Sequence, residues 1–182
     1  MMIKSAVIFH GTKGSPTHNW FPWLSNLLQS SGYQVTVPKL PTPVNQSLTS
    51  WFEAVNHLAF DEETVLVAHS CGATFALHLL ENLKVRIKKV ILVSVVIDKI
   101  GIDEYDILNS SFIRSSHDWK KIQQNCQSVH ILHGSNDSYV PLHQAEFVAD
   151  NLGVLVQIIP DGGHLNAESG FTEFPCIASL IV

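Results

Sequence analysis

The sequence predicts an α/β fold, a three-layer sandwich in which helices flank a six-stranded parallel sheet. The predicted strands are Val- and Ile-rich and do not alternate polar with apolar residues, a pattern typical of strands covered on both faces. Helical patterns separate them, and this alternation favours right-handed crossovers within one parallel sheet. The six strands are predicted at Ser5–Phe9, Gln34–Val37, Thr64–Ala68, Lys89–Ser94, Ser128–His133 and Val154–Ile159.

Five helices are predicted, at Trp20–Ser31, Ser47–Leu58, Cys71–Leu83, Leu142–Asn151 and Ala167–Leu180. The first carries apolar residues at helical spacing and stops at Gly32, a residue suited to a C-terminal cap. The second has Ser50 and Glu53 near its start, at the spacing of a capping box. The third is apolar almost all round, as expected of a helix packed between the sheet and its neighbours. The fourth follows Pro141, which suits a first helical turn.

Length and composition predict one domain over residues 1–182. The chain of 182 residues can bury a substantial core but is too short for two comfortable domains. Apolar residues make up 46% and charged residues 15%, which fits a compact enzyme-like domain. The longest stretch without a predicted element, near 98–116, is where we expect a short cap-like insert.

Several functional classes are excluded at this level. The net charge of −5, with no basic run longer than two residues, predicts no nucleic-acid partner. Three scattered cysteines form no disulfide framework, and no Cys, His, Asp or Glu cluster has metal-ligand spacing. No glycine-rich phosphate or dinucleotide motif follows a strand. We therefore expect neither a metal nor a cofactor.

The sequence also predicts no membrane association. The longest apolar run, Val90–Ile97, is far shorter than the roughly 20 residues that cross a bilayer. No charged and then apolar leader precedes the first predicted strand. A cytoplasmic location is the expectation, and the oligomeric state is left open.

Residues Val65–Gly72, which read VLVAHSCG, predict a nucleophile elbow at Ser70. In such an elbow a buried strand turns sharply into a helix and presents one side chain above the sheet edge. The turn strains its central residue, so the positions two before and two after must be small. Ala68 and Gly72 meet that demand, although Gly is more usual at the first position. A plain turn serine is the alternative.

An elbow serine needs a base, and the base needs an acid to orient it. Asp137 follows the fifth predicted strand and His164 follows the sixth, in the chain order that such a serine requires. Because parallel strands end at one edge, the three side chains are expected to converge there. Asp137 could instead cap a helix, and Asp98, after the fourth strand, is a rival acid.

Two backbone N–H groups are needed to stabilise the oxyanion of acyl transfer. The residue after the nucleophile, Cys71, is expected to supply one. The loop after the first strand should supply the other, from Thr12 or alternatively Lys13, since Gly11 lets the backbone approach the substrate. The Cys71 side chain itself is interpreted as a small core residue rather than a nucleophile.

Further residues are predicted to bind substrate. His10 and Gly11 belong to the oxyanion loop, although a plain turn would also explain them. His18 and Trp20 follow that loop and could either line the pocket or pack. Phe112 lies in the insert and is a possible pocket wall. His69, which precedes the elbow serine, is interpreted as a packed, hydrogen-bonded histidine.

These motifs together resemble the α/β-hydrolase superfamily, over nearly the whole chain. More closely they resemble its short-chain branch, grouped with retinoblastoma-binding protein nine and similar bacterial proteins. The motifs are HGTKGS, HNWFPW at His18–Trp23, AHSCG at Ala68–Gly72, GSNDSYVP at Gly134–Pro141 and GGHLNAESGF at Gly162–Phe171. The resemblance implies a sheet without the two leading antiparallel strands of larger hydrolases, and a triad of Ser70, Asp137 and His164. The LxCxE peptide linked to retinoblastoma binding is absent, so that partner is not implied.

The predicted function is therefore a serine hydrolase that cleaves a small ester or amide, with a small-molecule or short peptide-like substrate. The reaction would pass through an acyl-enzyme on Ser70. Two alternatives stay open. An acyltransferase or amidase could use the same triad, and a non-catalytic binding or scaffold protein could keep the fold.

Overall fold

The fold is built on one sheet of six parallel strands, as the sequence predicts. A computed structural model describes residues 3–114 and 116–182. The strands lie in the order β2-β1-β3-β4-β5-β6. They are β1 (Ser5–Phe9), β2 (Gln34–Thr36), β3 (Thr64–His69), β4 (Lys89–Val93), β5 (Val129–Gly134) and β6 (Val156–Ile159). The predicted bounds are within two residues of these at every end.

Burial differs between the middle and the edges of the sheet. Every residue of β3 is buried, and β1 and β4 are buried except at their first residue. The edge strands β2 and β6 are partly or fully exposed along their whole length. The expectation that all six strands are interior is therefore wrong for these two, because each lacks a neighbour on one side.

Helices cover both faces of the sheet. They are α1 (Phe21–Ser30), α2 (Leu48–Val55), α3 (Cys71–Asn82), α4 (Asp103–Asn109), α5 (Trp119–Gln124), α6 (Leu142–Leu152) and α7 (Pro175–Ser179). The first four predicted helices correspond to α1, α2, α3 and α6. Gly32, with φ of 84°, follows the end of α1 in the left-handed conformation expected of a cap.

Two predictions about helix ends are wrong. The capping box of α2 is formed by Ser47 and Ser50, whose side chains bond each other's backbone amides, and not by Ser50 and Glu53. The predicted helix Ala167–Leu180 is broken into a 3₁₀ turn at Ala167–Ser169 and the short α7. Gly170, at φ of 89°, ends the turn, and Pro175 begins the new helix.

The insert near 98–116 contains structure that the sequence pattern does not reveal. Helix α4 forms within it and α5 follows it, whereas the sequence predicts neither. Three acidic residues, Asp103, Glu104 and Asp106, lie in the first turn of α4, where the helix dipole favours negative charge. Residue 115 of the insert, like residues 1 and 2 of the predicted domain, lies outside the described ranges.

Two apolar clusters, one on each face of the sheet, form the core. On one face Ile8, Val67 and Val93 pack against residues of α1 and α7. On the other, Leu66 and Leu92 pack against α2, α3, α5 and α6. Alternate residues of a strand point to opposite faces, so each central strand supplies both clusters and the three-layer sandwich follows.

The order of the strands fixes where a ligand can bind. The chain passes from β1 to β2 on one side and then returns to place β3 on the other side of β1. This reversal opens a crevice beyond the carboxyl ends of β1 and β3, the usual ligand site of open α/β sheets. Both the oxyanion loop and Ser70 leave the sheet there. Within the described residues, every helix is too short or too polar to cross a membrane.

The central strand β3 should dominate stability. Leu66 is fully buried, so Leu66→Ala leaves a cavity and should lower the free energy of unfolding by about 2–5 kcal/mol in urea denaturation. Leu155→Ala is the matched control, because this leucine is 91% exposed and its truncation should change stability by no more than about 0.5 kcal/mol. Equal losses in the two variants would contradict this assignment of the core.

Candidate active site

Ser70 occupies the sharp turn between β3 and α3. Its backbone has φ of 57° and ψ of −129°, a conformation that residues other than glycine rarely adopt. The Ser70 N–H donates to the Val93 carbonyl at 2.8 Å, which extends the pairing of β3 with β4. Ser70 itself is half-buried although its neighbours are buried. The predicted elbow geometry is thus present.

The elbow is packed too tightly for larger neighbours. A Cβ at Gly72 would lie 2.4 Å from the His10 carbonyl oxygen, and one at Gly11 would lie 2.8 Å from Ser70 Cβ. Both distances are shorter than real Cβ contacts, so glycine is required at these positions. Ala68, the less usual residue two before the serine, is accommodated with its side chain fully buried.

Asp137 and His164 meet beside the elbow. His164 Nδ1 lies 2.8 Å from Asp137 Oδ2, and the Asp137 side chain is only 1% exposed. The other oxygen, Oδ1, accepts the backbone N–H groups of Tyr139 at 2.8 Å and Val140 at 3.0 Å. The carboxylate is thus bonded on both oxygens and cannot turn freely.

Electrostatics keep this carboxylate ionised. Burial opposes ionisation, but the hydrogen bond and charge of His164 and the two backbone amides outweigh it and lower the pKa of Asp137. An ionised carboxylate only accepts hydrogen bonds, so His164 Nδ1 carries the proton. In the neutral ring Nε2 is then left without a proton and can act as a base.

The loops that carry Asp137 and His164 are joined to each other. Gly134, at the end of β5, approaches the loop that carries His164 very closely. A Cβ at Gly134 would lie 2.0 Å from the Gly163 carbonyl oxygen. Asn136 Oδ1 accepts the Gly163 N–H at 2.7 Å, and Ser135 Oγ accepts the Asp161 N–H at 3.0 Å. These contacts fix the two loops as one unit.

Buried side chains hold the backbone of the histidine loop. His69 Nε2 donates to the His164 carbonyl at 2.9 Å, and Trp20 Nε1 donates to the Leu165 carbonyl at 2.9 Å. Burial, together with the nearby His164, lowers the pKa of His69 to about 3, so this ring is neutral at pH 7. The structure thus agrees with the interpretation of His69 as a packed, hydrogen-bonded residue.

Ser70 and His164 line one cavity of about 170 Å³. In the described part of the chain the two side chains share no hydrogen bond, and hydrogen bonds of this kind often tighten only when substrate is bound. The remaining lining is largely polar: Gly11, Thr12, Lys13, Gly14, His18, Asn19, His69, Tyr105, Tyr139, Asn166 and Glu168.

The predicted substrate-binding residues separate into two groups. Gly11 and His18 line the cavity. His10, Trp20 and Phe112 are fully buried outside it, so the structure does not place them where they could contact a substrate. His10 ties the oxyanion loop together instead, since Nδ1 donates to the Gly11 carbonyl and Nε2 accepts the Leu40 N–H. Phe112 packs on Trp51, with ring centroids 4.6 Å apart.

The backbone amides around the cavity favour Thr12 over Lys13 as the second oxyanion donor. The Lys13 N–H already donates to Thr42 Oγ1 at 2.7 Å. The N–H groups of Thr12 and Cys71 donate to no acceptor among the residues described. Both N–H groups are thus available as donors, and their role in an oxyanion hole stays a prediction.

The Cys71 thiol is chemically quiet. It is fully buried, and burial raises its pKa to about 12, although the neighbouring Thr12 side chain acts in the opposite direction. The thiolate is the nucleophilic form of cysteine, so this side chain carries almost none of it at pH 7. Its interpretation as a core residue agrees with this environment.

Sequence reasoning missed several residues that line the cavity, among them Tyr105, Tyr139, Asn166 and Glu168. Tyr139 packs beside His164 with its ring tilted and the ring centroids 5.1 Å apart, and its hydroxyl donates to Glu168 at 2.9 Å. Tyr105, on α4, reaches the cavity from the insert, and Asn166 lines the wall next to Glu168. Tyr139 lies in the motif GSNDSYVP, and Asn166 and Glu168 lie in the motif GGHLNAESGF. Their closeness in sequence to Asp137 and His164 is the signal that could have identified them.

The rival acid lies elsewhere. Asp98 borders a larger cavity of about 720 Å³ between the insert and α6, which does not include Ser70, Asp137 or His164 in its lining. Asp98 Oδ1 accepts the N–H of the next residue, Lys99, at 2.7 Å. The hydrogen bond to His164 thus favours Asp137 as its partner.

The structure also brings together a potential metal-ligand set that spacing did not indicate. Ligand atoms of His78, Glu81 and His117 lie within 4.8 Å of one another. Arg114, however, pairs with Glu81 and lies 3.0 Å from His117 Nδ1. Its positive charge stands where a cation would bind, so the set fits an ion-pair network that fastens the insert to α3.

Comparison with known proteins finds relatives of this chain among serine hydrolases. A family model described as "Serine hydrolase" matches residues 6–182. The serine hydrolase RBBP9 of Rattus norvegicus is 31% identical over 163 residues, covering 87% of this chain and 86% of that protein. The crystal structure of the ydeN gene product from B. subtilis superposes with a TM-score of 0.90 at 27% identity, covering 98% of this chain and 96% of that one. Alpha/beta hydrolase domain-containing protein 10 from mouse, at 16% identity and a TM-score of 0.66, covers 97% of this chain and 86% of its own, and shares the fold.

The lowered pKa of Asp137 links this pair to stability. Its ionised form is favoured by folding, so the contribution is fully present above the unfolded value of about 3.9 and is lost as pH falls through the lower folded value. Asp137→Asn removes this contribution. Near pH 7 the free energy of unfolding of the wild type should exceed that of the variant by about 1.5–3 kcal/mol. Urea denaturation from pH 7 to pH 3 should show the difference narrowing only in acid. A difference that stays constant with pH would contradict the assignment.

Proposed function

The chain belongs to the serine hydrolase family, and from that premise we propose that it cleaves a small ester or amide through an acyl-enzyme on Ser70. One observation carries the proposal. The 2.8 Å hydrogen bond between Asp137 and His164 orients a ring in the same cavity that Ser70 enters from a strained elbow. Nucleophile, base and orienting acid are the three groups that such chemistry requires.

Acylation begins when Ser70 Oγ attacks the acyl carbonyl carbon. His164 Nε2 takes the hydroxyl proton as the new bond forms, and Asp137 stabilises the resulting imidazolium. The carbonyl oxygen becomes an oxyanion, to which the amides of Thr12 and Cys71 donate. The N-terminus of α3, which begins at Cys71, adds a favourable dipole.

Collapse of this intermediate breaks the bond to the leaving group. His164 returns the proton to the departing alcohol or amine, which leaves the acyl group on Ser70. Water then attacks the ester and gives its proton to His164. Collapse of the second intermediate releases the acid and restores the Ser70 hydroxyl.

The size and polarity of the cavity support a small substrate. A volume of about 170 Å³ admits a short acyl group, and a longer molecule would have to extend into solvent. A small molecule or a short peptide-like ester or amide fits this description. The cytoplasmic location and the absence of nucleic-acid and membrane partners stay predictions from the sequence.

Two alternatives remain distinguishable by experiment. An acyltransferase would use the same groups but pass the acyl chain to an alcohol or amine, so product analysis with added acceptors separates it from a hydrolase. A binding protein would keep the fold without turnover. A fluorophosphonate probe that labels Ser70, mapped by peptide mass, argues against that reading.

Ser70→Ala should abolish turnover of a short p-nitrophenyl ester, because no other hydroxyl is positioned by the elbow. The fall in kcat should be on the order of 10⁴- to 10⁶-fold, while circular dichroism stays that of the folded wild type. Ser30→Ala is a matched control, since this exposed hydroxyl donates only to the Asn26 carbonyl of its own helix.

Undiminished ester hydrolysis by folded Ser70→Ala would remove Ser70 from the mechanism. A wild-type protein that neither turns over esters nor reacts with the fluorophosphonate probe would favour the binding protein.

A further inference from the structure

We propose that Asn109, carried by the insert, and Gln46 are positioning residues that aim the Thr12 amide at the oxyanion. The inference rests on the proposed function, because it concerns the second donor of that oxyanion hole. It assigns to α4 a part in catalysis that is separate from covering the cavity.

The Thr12 side chain is held by two hydrogen bonds from distant parts of the chain. Its hydroxyl donates to Asn109 Oδ1, at the last residue of α4. It also accepts from Gln46 Nε2 at 2.8 Å. With donor and acceptor both engaged, the rotamer of Thr12 is fixed from two directions.

The same network grips the neighbouring peptide. Gln46 Oε1 accepts from Thr42 Oγ1 at 2.5 Å, and Thr42 Oγ1 in turn accepts the Lys13 N–H at 2.7 Å. Gln46 Nε2 also lies 3.1 Å from Asn109 Oδ1. The peptide group that joins Thr12 to Lys13 is therefore restrained on the C-terminal side of Thr12, and Lys13 is held at φ of 58° in the left-handed region.

Asn109 is buried and can therefore hold the Thr12 side chain in one position. It is 2% exposed, whereas most of α4 is open to solvent. A second contact joins the other end of α4 to the same loop, since Lys13 Nζ lies 2.6 Å from Glu104 and 5.0 Å from the centre of the Tyr105 ring. The insert and the oxyanion loop are thus connected at both ends of one helix.

Orientation of this amide matters because an oxyanion hole works by being formed in advance. Removing one donor costs about 10²–10³ in kcat in related chemistry, and a donor turned away loses part of that. Since the amide contacts the oxyanion only after attack, misorientation lowers kcat and transition-state affinity but leaves substrate binding nearly unchanged.

The test compares three variants that each remove one partner: Thr12→Val, which keeps the amide and the side-chain shape, Asn109→Ala and Gln46→Ala. Each should lower kcat for a short p-nitrophenyl ester about 10- to 100-fold, with KM changed less than about twofold. The Ki of a trifluoromethyl ketone, which forms an oxyanion adduct on Ser70, should rise by a similar factor. Thr12→Ser, which keeps the hydroxyl, should restore most of the activity.

Two further variants separate positioning from general damage. The double variant Thr12→Val with Asn109→Ala should be no slower than Thr12→Val alone, because Thr12→Val already removes the hydroxyl through which Asn109 would act on the amide. Ser110→Ala is the matched control on the same helix end. Its exposed hydroxyl donates only to the Ile107 carbonyl, so kcat and Ki should stay at the wild-type values.

The outcomes are distinguishable from failure of the proposed function. If the wild type labels with the fluorophosphonate but Thr12→Val and Asn109→Ala keep wild-type kcat and Ki, the positioning role is wrong and the hydrolase stands. A fall in kcat with unchanged Ki also overturns it. If Asn109→Ala fails to fold, Thr12→Val and Gln46→Ala decide. A wild type with no label and no turnover refutes both proposals together.

Discussion

The strained backbone of Ser70 is the constraint on which the site depends. A residue with a side chain is held at φ of 57°, at a cost of order 1–3 kcal/mol, and the surrounding packing must supply that energy. It does so because β3 lies in the middle of the sheet and α3 is buried along nearly its whole length. The first loop presses against the turn at Gly11 and Gly72, where no Cβ fits. Packing of the buried core thus holds Ser70 in the backbone conformation that places its hydroxyl above the edge of the sheet.

The rest of the site is assembled by contacts between loops rather than by any single element. Gly134 and Gly163 approach so closely that the acid and histidine loops are packed into one unit. The side chains of Trp20, just before α1, and His69, at the end of β3, donate to the carbonyls of Leu165 and His164. These bonds fasten the histidine loop to the buried core. Precision at the carboxyl edge therefore comes from backbone approach and buried hydrogen bonds, although loops are usually the variable parts of a fold.

How much could be predicted from sequence depended on whether the signal was local. The elbow was recognisable because its demand for small residues at Ala68 and Gly72 is written within five positions. Asp137 and His164 followed from the order of strands. The sequence leaves two places open for Trp20, because local spacing does not distinguish a large side chain that faces the cavity from one that packs beneath it. The structure buries it, and its indole serves the histidine loop instead.

The misses share a physical cause. Helix α4 is short and buries only Asn109, so it has no apolar stripe for periodicity to detect. The C-terminal segment looked like one helix because its apolar residues continue past Gly170. The cluster around Glu81 joins residues far apart in sequence, and its existence depends on how the insert packs against α3. Tertiary packing decides each of these cases.

The environment of Cys71 has one more consequence, for the selectivity of covalent inhibitors. Its sulfur is adjacent in sequence to the elbow, yet burial keeps it in the protonated form that soft electrophiles such as maleimides ignore. Thiol-directed reagents should therefore not react with Cys71. If Ser70 is the nucleophile, phosphorus or acyl electrophiles should react with its hydroxyl instead. Burial therefore protects the sulfur beside the elbow from thiol-directed reagents.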